Sequence, residues 1–297
     1  MTKDNQHHNP TEDDTTLIKD YPTIRKEKLK FRKSLIKNAR SQFLTFNLRC
    51  RLRKPLTDEA IIALKDYLDV EKNNFTTVMQ TIVTIRGLVS TEKKNVLHMT
   101  SVIIDSGIAN CILEFLNWDA SKIASTIPTN QLDKFYMEVT WIISNIASGT
   151  TVHTQYIVSS GCIPNIVNIL ETHTNLLVKE QCVWALGNIA AESVTCRDLV
   201  LNLDVVPLIV DILTMEIGNI SNNIELVRTV IWCLKNMLEK TPFPPKKTVA
   251  KAVPILTKLT VYSQDKEIID DVVAALHTAF IILKPSGVAD ALKAQIE

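Results

Sequence analysis

The sequence predicts an all-α chain, a right-handed α-solenoid of about five stacked helical units behind a basic N-terminal arm. Three observations predict it. Leu, Ile and Val recur at three- and four-residue spacing, while Gly numbers only 7 in 297 residues, so helices are favoured and rarely broken. Three of the four tryptophans sit in one motif, a Trp followed four residues later by an Asn: Trp141 with Asn145, Trp184 with Asn188, and Trp232 with Asn236. The steps between these tryptophans are 43 and 48 residues, the length of a unit of two or three packed helices.

Taken in order, residues 1–20 are polar, carry His7, His8, Glu12, Asp13 and Asp14, and lack periodicity; they are expected to be a disordered tail. Residues 21–56 form the arm. Its positions 25–54 hold twelve Lys and Arg against one acid, Glu27. Arg25, Lys26, Lys28, Arg32, Lys33, Lys37 and Arg40 are interleaved with Leu29, Phe31, Leu35 and Ile36, which suits an amphipathic helix with a basic polar face. Arg49, Arg51, Arg53 and Lys54 form a second cluster, stopped by Pro55. Residues 57–297 are expected to be the solenoid, of a period that fits armadillo or HEAT arrays. Thr57 with Asp58 and Glu59 can cap its first helix.

The first repeat, 75–118, has a helix at Phe75–Leu88, a polar break at Glu92, Lys93, Lys94 and Asn95, then helices to Leu116. Val83 and Gly87 stand in its Trp and Asn places. A polar loop with Pro128 covers 119–131, and the second repeat begins near Asp133. There Gly161 is expected to end one helix and Pro164 to begin the next. The third repeat is 175–215, with Pro207 in the matching place, and a loop at Gly218–Asn223 lengthens the second step. The fourth, 225–261, breaks at Thr241, Pro242, Phe243, Pro244 and Pro245. A fifth begins at Glu267, with Ala274 and Thr278 in the Trp and Asn places, and ends at Pro285, Ser286 and Gly287. Plain first and last repeats suit the capping units of an array.

Composition narrows the function. The six cysteines, at 50, 111, 162, 182, 196 and 233, have no metal-ligand or redox spacing and read as small buried apolar residues of a reducing compartment. No apolar run approaches the ~20 residues that span a bilayer, so no membrane is expected. The net charge of +1 hides an asymmetry, because residues 55–297 hold nineteen basic and twenty-six acidic residues. An acidic body suits basic ligands, its own arm among them. No nucleotide loop, metal-binding His-Glu pattern or nucleophile motif is present, so neither catalysis nor a cofactor is expected.

Stacked repeats set equivalent helices side by side, roughly 10 Å apart. The three Trp-Asn helices would then line one concave face. An extended peptide rises ~3.3 Å per residue and exposes backbone donors and acceptors that Asn145, Asn188 and Asn236 can bind. Slots between indoles suit the aliphatic stems and charged ends of Lys or Arg. Glu192, one turn beyond Asn188, supplies an acid beside such a slot.

These residues resemble a known family. The run 180–190, Glu-Gln-Cys-Val-Trp-Ala-Leu-Gly-Asn-Ile-Ala, is similar to the third armadillo repeat of importin α, the nuclear-import adaptor, and 141–150 resembles its second. Arg197, Asp198, Leu199 and Val200, and the Pro242–Pro245 run, look like further family features, and the match covers about residues 69–283. The resemblance implies that Asn145, Asn188 and Asn236 grip the backbone of a nuclear localisation signal and that Trp141, Trp184 and Trp232 form its side-chain slots. It implies a lysine pocket from Gly149, Thr154 and Glu192, the last standing where the family has Asp, and a groove role for Gln181. The arm is similar to the importin-β-binding segment, with Arg25, Leu35 and Lys37 in matching spacing. The family's later autoinhibitory Lys-Arg-Arg has no in-register counterpart, and the Arg49–Lys54 cluster lies a few residues on. Family members carry many more repeats, so a second basic-peptide site and the export-receptor surface are expected to be lacking.

Three readings remain open at this stage. One is an adaptor that carries Lys/Arg-rich signals to importin β, and so indirectly to the nuclear pore, in cytoplasm and nucleus. Another is a shortened scaffold or inhibitor that holds cargo or importin β without completing transport. The third, RNA binding by the arm, is the weakest, since its basic stretch 25–54 offers only Phe31, Phe43 and Phe46 for stacking.

Overall fold

A computed structural model describes residues 56–90, 95–117, 127 and 129–283, all within one compact unit, Arg51–Glu297. The N-terminal tail, the arm through Lys54, most of the 119–131 loop, the Glu92–Lys94 break and the Pro285 terminator lie outside the described residues.

Every regular element among the described residues is helical. The helices are α1 (Asp58–Ile62), α2 (Phe75–Leu88), α3 (Val96–Asp105), α4 (Ile108–Glu114), α5 (Thr129–Ala147), α6 (Thr151–Ser159) and α7 (Ile163–Thr172). They continue as α8 (Leu176–Ala190), α9 (Val194–Leu201), α10 (Val205–Glu216), α11 (Ile224–Leu238), α12 (Lys246–Tyr262) and α13 (Lys266–Leu283). Short 3-10 pieces follow α1 and α4. The chain is thus an α-solenoid.

The caps follow from side-chain chemistry. Thr57 Oγ1 accepts from the Ala60 N–H at 3.3 Å, Asn74 Oδ1 from Thr77 at 2.9 Å, and Ser193 Oγ from Cys196 at 3.1 Å. Each satisfies an orphan donor of its helix. Thr150 and His153 form a reciprocal capping box at α6. Helix α5 begins at Thr129, about four residues before the start expected near Asp133.

Within each unit, two shorter helices are joined by a residue in the left-handed region: Gly107 (φ 76°), Gly161 (φ 72°) and Asp204 (φ 50°). Pro164 and Pro207 then lie in the first turn of α7 and α10. The fourth unit departs from this. Pro254 stands in the same place, but no Gly, Asn or Asp precedes it, and the chain runs through as one helix, α12. Proline alone does not turn the chain; a residue that tolerates the left-handed region does.

The long helices α2, α5, α8, α11 and α13 pack side by side in that order. Their apolar faces close on the shorter helices, burying Ile82, Ile142, Val183, Leu186 and Ile231 almost completely. Four described cysteines, Cys162, Cys182, Cys196 and Cys233, are buried and Cys111 is half-buried. Burial pushes the Cys182 and Cys233 thiols far up, which keeps them neutral packing groups. No single described helix is long and apolar enough to cross a membrane.

Candidate functional site

The row α5, α8, α11 carries all three Trp-Asn pairs on neighbouring helices. The sequence reading set these side chains on an open face. In the structure Trp184 and Trp232 are each 5% exposed, and Asn145, Asn188 and Asn236 are buried as well; only Trp141 is half-buried. The reason is close approach between repeats. A Cβ added at Gly187 would stand 2.5 Å from Trp232 Cζ3, so the indole lies directly against the bare backbone of α8. Asn188 Nδ2 donates across to Ser144 on α5, at 3.1 Å to its carbonyl and 3.2 Å to its hydroxyl. Asn188 is therefore a tie between repeats.

Of the residues that the resemblance assigns to a lysine pocket, Thr154 and Glu192 come together. Thr154 Oγ1 donates to Ala147 O at 2.7 Å and lies 3.4 Å from Glu192 Oε2, although 38 residues separate them. A Cβ at Gly149 would meet the buried His153 ring at 2.4 Å, so the capping side chain of α6 packs against bare backbone there.

Elsewhere on α8 and α11 the polar groups are less satisfied. Gln181 Oε1 and Asn236 Nδ2 are buried with no hydrogen-bond partner among the described residues. Buried polar atoms left this way are uncommon and call for an explanation. Glu180, half-buried beside them, has its pKa pushed up to about 7 by burial and by the Glu225 carboxyl on α11, against the pull of the Thr229 hydroxyl.

Several groups at this row were not singled out by sequence reasoning. Arg86 on α2 stacks over the Trp141 ring, 4.4 Å from its centroid, and pairs with buried Glu138 on α5. Burial raises the Glu138 pKa, and Arg86 opposes that rise. Lys235, one residue before Asn236, reaches Asp271 on α13 at 2.6 Å. The buried Arg197 holds the carbonyls of Glu239, Lys240 and Pro242 at 3.2, 2.6 and 2.8 Å. That loop delivers Lys240 Nζ onto Ala191 O at the end of α8, where burial lowers the ammonium pKa and nearby Glu192 opposes it. Glu138 and Lys235 were visible as charges at fixed offsets from the tryptophans, three before and three after. The arm residues Arg25 to Lys54 lie outside the described residues. No described group of His, Cys, Asp or Glu gathers as a metal site.

Comparison with known proteins agrees with this architecture. Residues 150–191 match the model of the armadillo/beta-catenin-like repeat. A designed armadillo repeat protein superposes with a TM-score of 0.57 over 74% of this chain and 82% of that one, at 19% identity. An engineered protein gives 0.59 over 80% and 53%, at 22% identity. The chain is an armadillo-repeat α-solenoid. Its sequence relatives are importin subunits alpha. Importin subunit alpha-2 of Arabidopsis thaliana is 33% identical over 175 residues, 59% of this chain and 29% of the relative. Importin subunit alpha-1b of Oryza sativa subsp. japonica is 35% identical over 161 residues, 54% and 28%. The probable importin subunit alpha-A of Dictyostelium discoideum is 32% identical over 134 residues, 42% and 24%. These alignments thus span less than a third of each relative's length.

Proposed function

We propose that this chain is an importin-α-like adaptor that binds Lys/Arg-rich nuclear localisation signals along α5, α8 and α11. The observation that carries the reading is the contact of Thr154 with Glu192, together with the unsatisfied Gln181 and Asn236 on the helices that carry the Trp-Asn pairs. A bound basic peptide supplies what Gln181 and Asn236 lack. Its ammonium or guanidinium donors meet Gln181 Oε1 and Glu192, and its carbonyls accept from Asn236 Nδ2. Trp141, Trp184 and Trp232 line the aliphatic stems. Residues 25–54 serve as the importin-β-binding arm, so that cargo is linked to importin β and passes between cytoplasm and nucleus. The role is binding, without chemistry or cofactor.

The test is titration of a fluorescein-labelled Lys-rich peptide into the full chain, followed by anisotropy. Saturable binding that falls at least tenfold in Trp184→Ala with Asn188→Ala is expected. Binding that ignores this double substitution in a folded variant overturns the reading. A pulldown of importin β that is lost when Arg25, Lys28, Arg32 and Lys33 become Ala tests the arm.

A further inference from the structure

The row of long helices has four junctions, and one pair of positions recurs at each. The residue three after the Trp place of one helix faces the junction from one side. The residue three before the Trp place of the next helix faces it from the other. At the α2 and α5 junction these are Arg86 and Glu138, an ion pair with Arg86 over Trp141. At the α11 and α13 junction they are Lys235 and Asp271, again an ion pair. At the two central junctions they are Ser144 with Gln181, and Gly187 with Thr229. There the cation is absent from the chain, and Gln181 Oε1 is buried without a donor among the described residues.

We infer that Arg86 and Lys235 are end stops that fix the length and register of the peptide this row accepts. The inference rests on the peptide-binding reading above. At each flanking junction the chain's own cation takes the place beside the acid that a peptide's Lys or Arg would need. A second cation brought there meets a neutralised carboxylate and a like charge. The fourth indole is also missing, since Ala274 stands in the Trp place of α13. The open stretch runs from α5 to α11, two helix spacings of about 10 Å. An extended chain crosses about 20 Å in about six residues. The ligand class is therefore a short extended segment with its basic residues inside about six positions, and charges beyond them count for little.

The experiment uses the full chain and a labelled six-residue Lys-rich peptide, extended at either end by Ala-Ala or by Lys-Lys. Anisotropy at about 0.3 M salt suppresses long-range attraction. In the native chain the Lys-Lys and Ala-Ala extensions are expected to differ by less than about twofold at both ends. In Lys235→Ser the Lys-Lys extension gains about fivefold or more at one end only. In Arg86→Gln it gains at the opposite end. In Lys235→Ser combined with Asp271→Asn the gain disappears, because no acid remains to receive the cation. A fivefold benefit from Lys-Lys in the native chain, or gains at the same end in both variants, overturns the inference. A gain that persists without Asp271 overturns it too. If the unextended peptide shows no saturable binding to any form, the peptide-binding reading and this inference fall together. Saturable binding with ratios blind to the substitutions removes this inference alone.

Discussion

The flanking and central junctions of the helix row are built by different means. Outside, Arg86 with Glu138 and Lys235 with Asp271 close the gap between helices by ionic contact. Inside, Ser144 receives Asn188, and Gly187 lets the Trp232 ring lie on bare backbone. The difference teaches that one repeat position can close a junction either by an ion pair or by close packing and neutral hydrogen bonds. The choice depends on whether the chain supplies its own charge there. It also makes the two kinds of junction respond differently to substitution.

The largest effect is expected at Gly187. Gly187→Leu drives a side chain into the Trp232 ring and should cost about 3 kcal/mol, read by denaturant unfolding. An unchanged midpoint would show that the central junction is looser than its geometry. At the flanking junction, Asp271→Ala removes the ion-pair partner of the buried Lys235 and should cost about 2 kcal/mol, the partial exposure of Asp271 holding the loss below that of a fully buried pair. Replacing both partners, Lys235→Met with Asp271→Leu, should recover most of it. Failure to recover would make the contact specific rather than space-filling. Asn188→Ala removes the bond to Ser144 and should cost about 1 kcal/mol.

The smallest effect concerns Glu180. Its folded pKa, about 7, lies above the ordinary carboxylate value, so the folded state holds the proton more tightly than the unfolded chain. The resulting loss of stability is absent below about pH 4.5, grows as pH rises, and is complete above about pH 7. Glu180→Gln should therefore stabilise the protein by about 1 kcal/mol at pH 8 and leave it unchanged at pH 4, as thermal melts at the two pH values can check. Under the peptide-binding proposal, a basic ligand near Glu180 favours its carboxylate, so native affinity should fall about threefold from pH 8 to pH 6, and Glu180→Gln should flatten that slope.

Much of the fold was legible because helix signals are local. The Trp-Asn spacing marks α5, α8 and α11, the apolar pattern from Phe75 ends with its helix at Leu88, and Gly161 with Pro164 marks a turn that the structure contains. The continuous α12 was less legible, since Pro254 repeats the position of Pro164 and Pro207, while the deciding feature is the residue ahead of it. Of the candidate site, the adjacency of the three Trp-Asn helices and the Thr154 with Glu192 contact were legible, the first from a repeated motif and the second from a family resemblance. The ion pairs were not, because Arg86 and Glu138 lie 52 residues apart and Lys235 and Asp271 lie 36 apart. Only the stacking of repeats brings them together. The depth of the Trp-Asn pairs was hidden for the same reason: it depends on what Gly187 and Ser144 lack, and small residues carry little pattern.

Arg197 has a mechanical consequence. A guanidinium sealed inside one repeat and fastened to three carbonyls of the segment after α11 acts as a rivet between successive coils of the array. Stretching or twisting the molecule must shear that rivet before the third and fourth coils part. Elastic strain will therefore collect at joints that have none, and the array will flex unevenly rather than as a uniform spring.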